Sequence, residues 1–386
     1  MKYGLLYYKE TDNIGDDIQT YAAKRFLPSV DYYIDRENLN CFIPDKREYV
    51  SVIMNAWYLH NKAAWPPSPF INPLLISMHF TEQKELDVGD EYLKGGVGAQ
   101  YLKDREPIGA RDSKTQKRLE KNGIKNYFSG CMTLTINKFE NIKKEDYICL
   151  VDVPEKIVDK IKSVTKREVK IITHNCIPEE IKNKSVEDRL KDVEDLLKMY
   201  QKAHLVITDR LHAMLPSMAL ETPVILLHKD DYEEDRLGDF VKYVKSFSFK
   251  EFLKKDIKDD IEKPSKNNEE YKKIREKLES KVKEFIENND KIEDNKLPKI
   301  DDYKEYVEKI SYYKNLYESL RKRTLENYNN YKKELEEVWN SKEEGDNYLK
   351  NIIKEKDNVI REKNLELEQV YNSVFWKMKE KIKKKK

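Results

Sequence analysis

Only 4 cysteines occur in 386 residues, Cys41, Cys131, Cys149 and Cys176, and none stands in a Cys-x-x-Cys spacing. That leaves no paired-thiol motif and points to reduced thiols in a cytoplasmic protein. The 6 histidines show no metal-ligand spacing, so neither a metal nor a cofactor is expected. No apolar run approaches the ~18 residues that a membrane-spanning helix needs. The short apolar stretch in the opening MKYGLLYYKE does not make a secretory signal. A net charge of +2 gives no global field, which argues against nucleic acid as a partner. Glycine and proline all but vanish beyond Tyr312, where Gly345 is the one residue of either kind.

Charge is what the chain has in excess. Charged residues make up 38% of it, against ~25% in an ordinary globular chain. Up to about Val244 short apolar runs alternate with mixed helical segments. Strands are expected at Lys2–Tyr8, Val50–Asn55, Leu74–Met78, Ile108–Ala110, Tyr147–Val151, Val169–Thr173, Leu205–Thr208 and Val224–Leu227. Helices are expected at Ser113–Asn122 and Ser185–Ala203, the second opened by Ser185 as N-cap with Asp188 in place of the usual Glu or Gln. The alternation predicts an α/β fold of two Rossmann-like domains, 1–140 and 141–253, with a ligand cleft between them. Residues 254–311 then read as a charged linker or solvated helix, and 312–386 as a helical, coiled-coil-like tail. Its heptad positions are Leu325, Trp339, Ile353, Ile360, Leu367 and Val374. A lone charged helix is the plainer reading of the same residues. The last segment, Leu367–Lys386, carries one apolar stripe and ends in KMKEKIKKKK. It either lies on an anionic membrane surface or forms the final seam of a coiled-coil homo-oligomer.

Two stretches carry chemistry. VITDRLHAMLPSMALETPVILL, Val206 to Leu227, places Asp209, Arg210 and His212 at the carboxyl end of a buried strand, where open α/β sheets bind ligands. Asp209 either orients Arg210 or His212 or caps a helix at Arg210, and Pro216 implies a helix that starts near Leu215 or kinks. Near the start, Asn13-Ile14-Gly15-Asp16 turns a strand into a helix. Gly15 permits close backbone approach and the helix N-terminus offers N–H groups to an anion, although one glycine is far short of a GxGxxG fingerprint. The plain alternative is a capped turn with Asp16 as N-cap. Arg111, His79 and His174 stand at other strand ends.

Three stretches together resemble the polysaccharide pyruvyl transferase family: NIGDDIQTYAAKRFLP, PIGARDSKTQKRLEKNGIKNYFSGCMTLTI and VITDRLHAMLPSMALETPVILL, supported by SVIMNAWY and LLISMHF. The resemblance runs from Met1 to His228 and leaves out the tail. It implies a GT-B-like pair of Rossmann-like domains. The implied reaction is transfer of pyruvate from phosphoenolpyruvate onto two hydroxyls of a sugar or lipid-linked glycan, as a ketal, in cell-surface polysaccharide synthesis. Arg210 and His212 match the family's Arg-Leu-His pattern, as anion holder and proton carrier. Arg111-Asp112 matches its Arg-Asp pair, either touching substrate or forming an internal salt bridge. Asn55 and Trp57 become a sugar-facing wall. Glu221 departs from the pattern, standing where a glycine usually ends the helix. Two rival readings remain: a nucleotide-sugar glycosyltransferase of the same architecture, gripping its donor through HKDDYEEDR, and a scaffold at the inner face of the cell membrane.

Overall fold

The computed structural model describes residues 2–58, 64–80, 91–177, 180–181, 183–229, 237–288, 297–340 and 351–369. The first half runs β1 (Lys2–Tyr7), α1 (Ile14–Lys24), β2 (Tyr32–Asp35), β3 (Val50–Ile53), β4 (Trp57–Tyr58), β5 (Ile71–Leu74) and β6 (His79–Phe80). It continues with α2 (Glu91–Lys94), α3 (Gly96–Lys103), β7 (Ile108–Ala110), α4 (Ser113–Lys121) and β8 (Asn126–Phe128). Its main sheet is parallel, in the order β2-β1-β3-β5, and two small parallel ladders, β4-β6 and β7-β8, extend the layer. The second half runs β9 (Tyr147–Val151), α5 (Glu155–Val164), β10 (Glu168–Ile172), α6 (Val186–Lys202), β11 (Leu205–Thr208), α7 (Leu211–Ala219), β12 (Val224–His228) and β13 (Lys245–Ser248). Its 5 strands are also parallel, ordered β10-β9-β11-β12-β13. The central strands β9, β11 and β12 are buried along their whole length, as strands covered on both faces must be.

In both sheets the order reverses beside the first strand, between β1 and β3 and between β9 and β11. At such a switch point the loops leaving neighbouring strands turn to opposite faces and open a crevice. The loop after β1, Trp57 after β3, Asp152 after β9 and Arg210 after β11 all lie at these points.

The halves are joined through α1 and α6. Asp17 on α1 and Arg189 on α6 are each 3% exposed and form a two-point ion pair, Nη2–Oδ1 2.6 Å and Nε–Oδ2 3.0 Å. A second bond runs from Arg189 Nη2 to the Tyr8 carbonyl. Burial pushes the Asp17 carboxyl up to about 6, against the opposing pull of Arg189. One apolar cluster spans both sheets, from Leu5, Ile18 and Ile53 to Val151, Val206 and Met214.

Several expectations need correction. The span 254–311 is helical, one of the two readings given for it, but its helices are packed rather than solvated. Helices α8 (Phe249–Lys254), α9 (Lys258–Glu262) and α10 (Tyr271–Asn288) bury Phe252, Ile257, Ile261, Tyr271, Leu278 and Val282. The start of α11 (Ile300–Asn340) then packs on the first half, with Tyr303 against Phe70 and its hydroxyl donating to the Asn40 carbonyl. The expected strand Leu74–Met78 falls instead at Ile71–Leu74, where Asn72 and Pro73 sit on the strand at the sheet edge. Of the heptad seam, α11 is described to Asn340 and a helix α12 over 351–369, with Tyr328 and Leu335 of the former and Ile353 of the latter lining one groove; residues 341–350 lie outside the described residues. Gly345, Val374, residues 370–386 of the basic segment and residues 230–236 of HKDDYEEDR lie outside the described residues. Among the described residues no helix is long and apolar enough to cross a membrane.

Other details match. Ser185 caps α6 by accepting from the Asp188 N–H. Glu221, just past α7, has φ +58°, the left-handed conformation that glycine adopts without strain. Ion pairs to Lys138 (2.7 Å) and Lys272 (3.6 Å) offset part of that cost.

Removing Asp17 leaves a buried guanidinium without its carboxylate. Asp17→Ala is expected to destabilise the fold by ~3–5 kcal/mol in urea unfolding, with Asp17→Leu/Arg189→Met losing clearly less. A loss below ~1 kcal/mol for the single variant contradicts the clamp.

Candidate active site

A polar cleft enclosing about 110 Å³ lies between the two switch points, lined by Asp12, Asn13, Asp16, Trp57, Arg111, His174, Arg210, Leu211 and His212. Each half supplies part of it, and the first-turn loops lock together across it. The Ile14 N–H donates to the His174 carbonyl, the Cys176 N–H donates to the Asp12 carbonyl, and Asn13 pairs with Asn175.

Helix α1 begins earlier than the sequence indicated. Its N-cap is Asn13, whose side chain accepts from the Gly15 N–H. The Asp16 N–H bonds the Asn13 carbonyl. These first N–H groups are already satisfied, so the helix N-terminus is not the anion site expected of it. Because Asn13 caps the helix, the Asp16 carboxylate is released from that duty. It accepts from Trp57 Nε1 (2.9 Å) and the Thr11 hydroxyl (2.8 Å). Gly15 has another task. A Cβ at Gly15 would lie 3.0 Å from Nδ1 and 3.1 Å from Cβ of His212, so the absent side chain lets two helix starts from opposite halves meet.

Helix α7 starts at Leu211, not near Leu215, with Arg210 as N-cap and Pro216 inside a helix that continues to Ala219. His212 therefore sits in the first turn rather than before it. Asp209 does not cap this helix and does not line the cleft; its Oδ1 lies 3.7 Å from Arg210 Nε. The carboxylate that orients Arg210 is Asp152, at 2.9 Å from Nε, while Arg210 Nη2 reaches Asn175 Oδ1 at 3.4 Å.

Arg111 forms the internal salt bridge, one of the two roles expected of it. Its Nε lies 3.3 Å from Asp112 Oδ2, and Asp112 caps α4 by accepting from the Thr115 N–H. Its Nη2, however, is buried without a hydrogen-bond partner among the described residues. A charged donor in that state costs free energy unless something meets it, and the cleft is where an acceptor can come from. His79 stands behind this pair rather than in the cleft, its Nδ1 2.6 Å from Asp112 Oδ2. Burial pushes the Asp112 carboxyl up. The hydrogen bond and charge of His79, the Arg111 charge and the Thr115 N–H outweigh that and hold it well below the usual carboxylate range. Asn55 is also outside the cleft, donating to the Gln19 carbonyl at 2.9 Å in a neighbouring cavity.

His174 is 1% exposed and shares a 2.7 Å hydrogen bond with the Tyr200 hydroxyl through Nε2. Burial pulls its pKa down to about 4, with the Arg210 charge adding to that and Asp152 opposing it. It is a neutral imidazole at pH 7. Cys131 Sγ lies 3.8 Å from His212 Nε2, but burial raises its pKa, so it remains a thiol and no thiolate–imidazolium pair forms. Asp152, Asn175, Tyr200 and Cys131 had no role in the sequence reading. Asp152 was within reach of it, an aspartate directly after an apolar strand, as Asp209 is. Among the described residues no group of His, Cys, Asp and Glu could hold a metal ion.

Residues 98–231 match the family model described as polysaccharide pyruvyl transferase, a stretch well short of half the chain that contains Arg111, His174, Arg210 and His212. No curated protein matches the chain. Among solved structures, one similar chain is a functionally uncharacterised protein from Klebsiella pneumoniae, with 10% identity over 64% of this chain and 92% of that one and a TM-score of 0.38.

Because unfolding exposes His174 to protonation, its neutral burial makes stability fall as pH drops from 6.5 toward 4: the unfolded state takes up a proton that the folded state refuses. Asp17 works in the opposite sense over nearly the same window, since its folded carboxyl holds a proton up to about 6. The difference between wild type and His174→Gln isolates the histidine. Urea unfolding should show wild type losing up to ~3 kcal/mol more than the variant between pH 7 and pH 4. Parallel pH profiles contradict a buried neutral His174.

Proposed function

We propose that the chain is a pyruvyl transferase, moving pyruvate from phosphoenolpyruvate onto two hydroxyls of a sugar acceptor as a cyclic ketal. Two Rossmann-like halves facing across the cleft, in the GT-B manner, supply its two walls. The observation that carries the reading is the buried, unpartnered Nη2 of Arg111 in a cleft that also holds Arg210, His174 and His212. Phosphoenolpyruvate presents a phosphate and a carboxylate on three carbons, and two guanidinium forks are the side chains best matched to such a pair of anions. The family match over residues 98–231 points the same way.

The chemistry needs one group that gives and takes a proton. His212, as imidazolium, protonates the methylene carbon, and C2 becomes electron-deficient. A sugar hydroxyl adds to C2, forming the first C–O bond and returning its proton to His212. The bond from C2 to the phosphate oxygen then breaks, inorganic phosphate leaves, and the second hydroxyl closes the ketal. The protons of the two hydroxyls end on the new methyl group and on phosphate, so the balance closes without a redox partner. His174, neutral at pH 7, orients rather than protonates. Asp112 and Asp152 stand behind Arg111 and Arg210 and hold each fork in place.

Phosphate release from phosphoenolpyruvate, measured with a panel of pyranoside acceptors, separates the roles. Arg111→Ala and Arg210→Ala should each raise KM for phosphoenolpyruvate at least tenfold. His212→Ala should lower kcat by ~10²–10⁴ with KM nearly unchanged. A His212→Ala enzyme with wild-type kcat, or arginine variants with wild-type KM, overturns these assignments.

A further inference from the structure

Beside the cleft lies a second, smaller cavity at the switch point of the first sheet. It is lined by Leu6 and Tyr7 of β1, Tyr8 just after it, Asp16 and Gln19 of α1, Arg36 and Asn55. Two polar groups here are nine-tenths or more buried and meet no partner among the described residues: Arg36 Nη2 and Gln19 Oε1, each on a residue 3% exposed. One is a donor and the other an acceptor.

The setting of Arg36 differs from that of Arg111. Its guanidinium is held between two aromatic rings, 3.9 Å from the Tyr8 centroid and 4.2 Å from that of Trp57. Two carboxylates already face it, Glu37 Oε1 at 2.9 Å from Nε and Asp16 Oδ1 at 3.7 Å from Nη1. Its single positive charge is therefore more than offset, and an incoming anion would meet net negative charge. A neutral group that accepts one hydrogen bond and donates another meets both unsatisfied atoms, and a hydroxyl does so. Asp16 and Trp57 link the two spaces: Asp16 lines both, and Trp57, which lines the cleft, covers Arg36.

We propose that Arg36 and Gln19 form a subsite for a hydroxyl of a neutral sugar whose ring lies in the adjoining cleft, Arg36 Nη2 donating to the hydroxyl oxygen and Gln19 Oε1 accepting its proton. Under the pyruvyl transfer reading, on which the naming of this sugar as acceptor rests, the subsite anchors a hydroxyl that does not react and so sets which pair of hydroxyls faces the donor. Fixing a ring at one hydroxyl is how a polar pocket discriminates between epimers, since the wrong epimer leaves buried groups unmet.

The test is saturation-transfer NMR on the full chain with methyl glycosides of glucose, galactose, mannose and N-acetylglucosamine, without phosphoenolpyruvate. At least one should bind, with a preference between epimers, and its affinity should fall at least tenfold in both Gln19→Leu and Arg36→Lys. Phosphoenolpyruvate affinity, measured in parallel, should move less than threefold, and circular dichroism melts certify the fold of each variant. Failure of every pyranoside to bind, or equal binding by wild type and a folded Gln19→Leu, overturns the subsite. Pyranoside binding lost in the variants, with no phosphoenolpyruvate binding at all, keeps the subsite and removes the reaction.

Discussion

Everything in the cleft depends on where helix α1 sits, and a single buried ion pair sets that. Asp17 reaches across to Arg189 on α6, out of water, where a mismatch of even a fraction of an ångström is costly. Two residues earlier on the same helix, Gly15 lies against His212 of the opposite half. One residue earlier, Asp16 gathers Trp57, Thr11 and the Arg36 side chain. One turn of helix thus fixes the distance between the halves, the position of the imidazole and the shape of the neighbouring cavity. Misplacement by ~1 Å of a catalytic group costs on the order of 10²-fold in rate, so a rigid clamp so close to the chemistry has a plain purpose.

Charge is laid out in order along this surface. Arg111 has one carboxylate behind it, Asp112, shared with His79, while Arg210 has Asp152 at 2.9 Å and Asp209 at 3.7 Å. Arg36 is also faced by two, and differs from both in being held between two aromatic rings. The neutral His174 adds no charge to the boundary.

The parallel strands were plain from the sequence wherever they were apolar and continuous: Ile108–Ala110, Tyr147–Val151 and Leu205–Thr208 fall as read. Strands β2, β8 and β13 escaped because YYID, NYF and KSFS mix polar residues into short edge or outer strands. With β2 unseen, Arg36 at its end had no place in the reading. The packed helices after Lys254 were hidden for a different reason. Tyr271, Leu278 and Val282 form a thin stripe amid lysine and glutamate, and composition averages it away. Of the cleft, strand-end logic brought Arg111, His174, Arg210 and His212 into view, because the carboxyl end of a parallel strand is a position that sequence reveals. It also promoted Asp209 and His79, which sit at strand ends but do not line the cleft. Which strand-end side chain turns inward depends on loop conformation, as with Asp152 at φ +53°, and no periodicity reports that.

The central claim is that the Arg111–Arg210 cleft receives a small dianionic enol phosphate. Calorimetric titration of the wild-type chain with phosphoenolpyruvate, beside a uridine-diphospho-hexose, tests it most directly. The account predicts saturable binding of phosphoenolpyruvate, weakened by competing inorganic phosphate, and none of the nucleotide sugar. Binding of the nucleotide sugar alone would contradict it and place the chain's chemistry among glycosyl transfers.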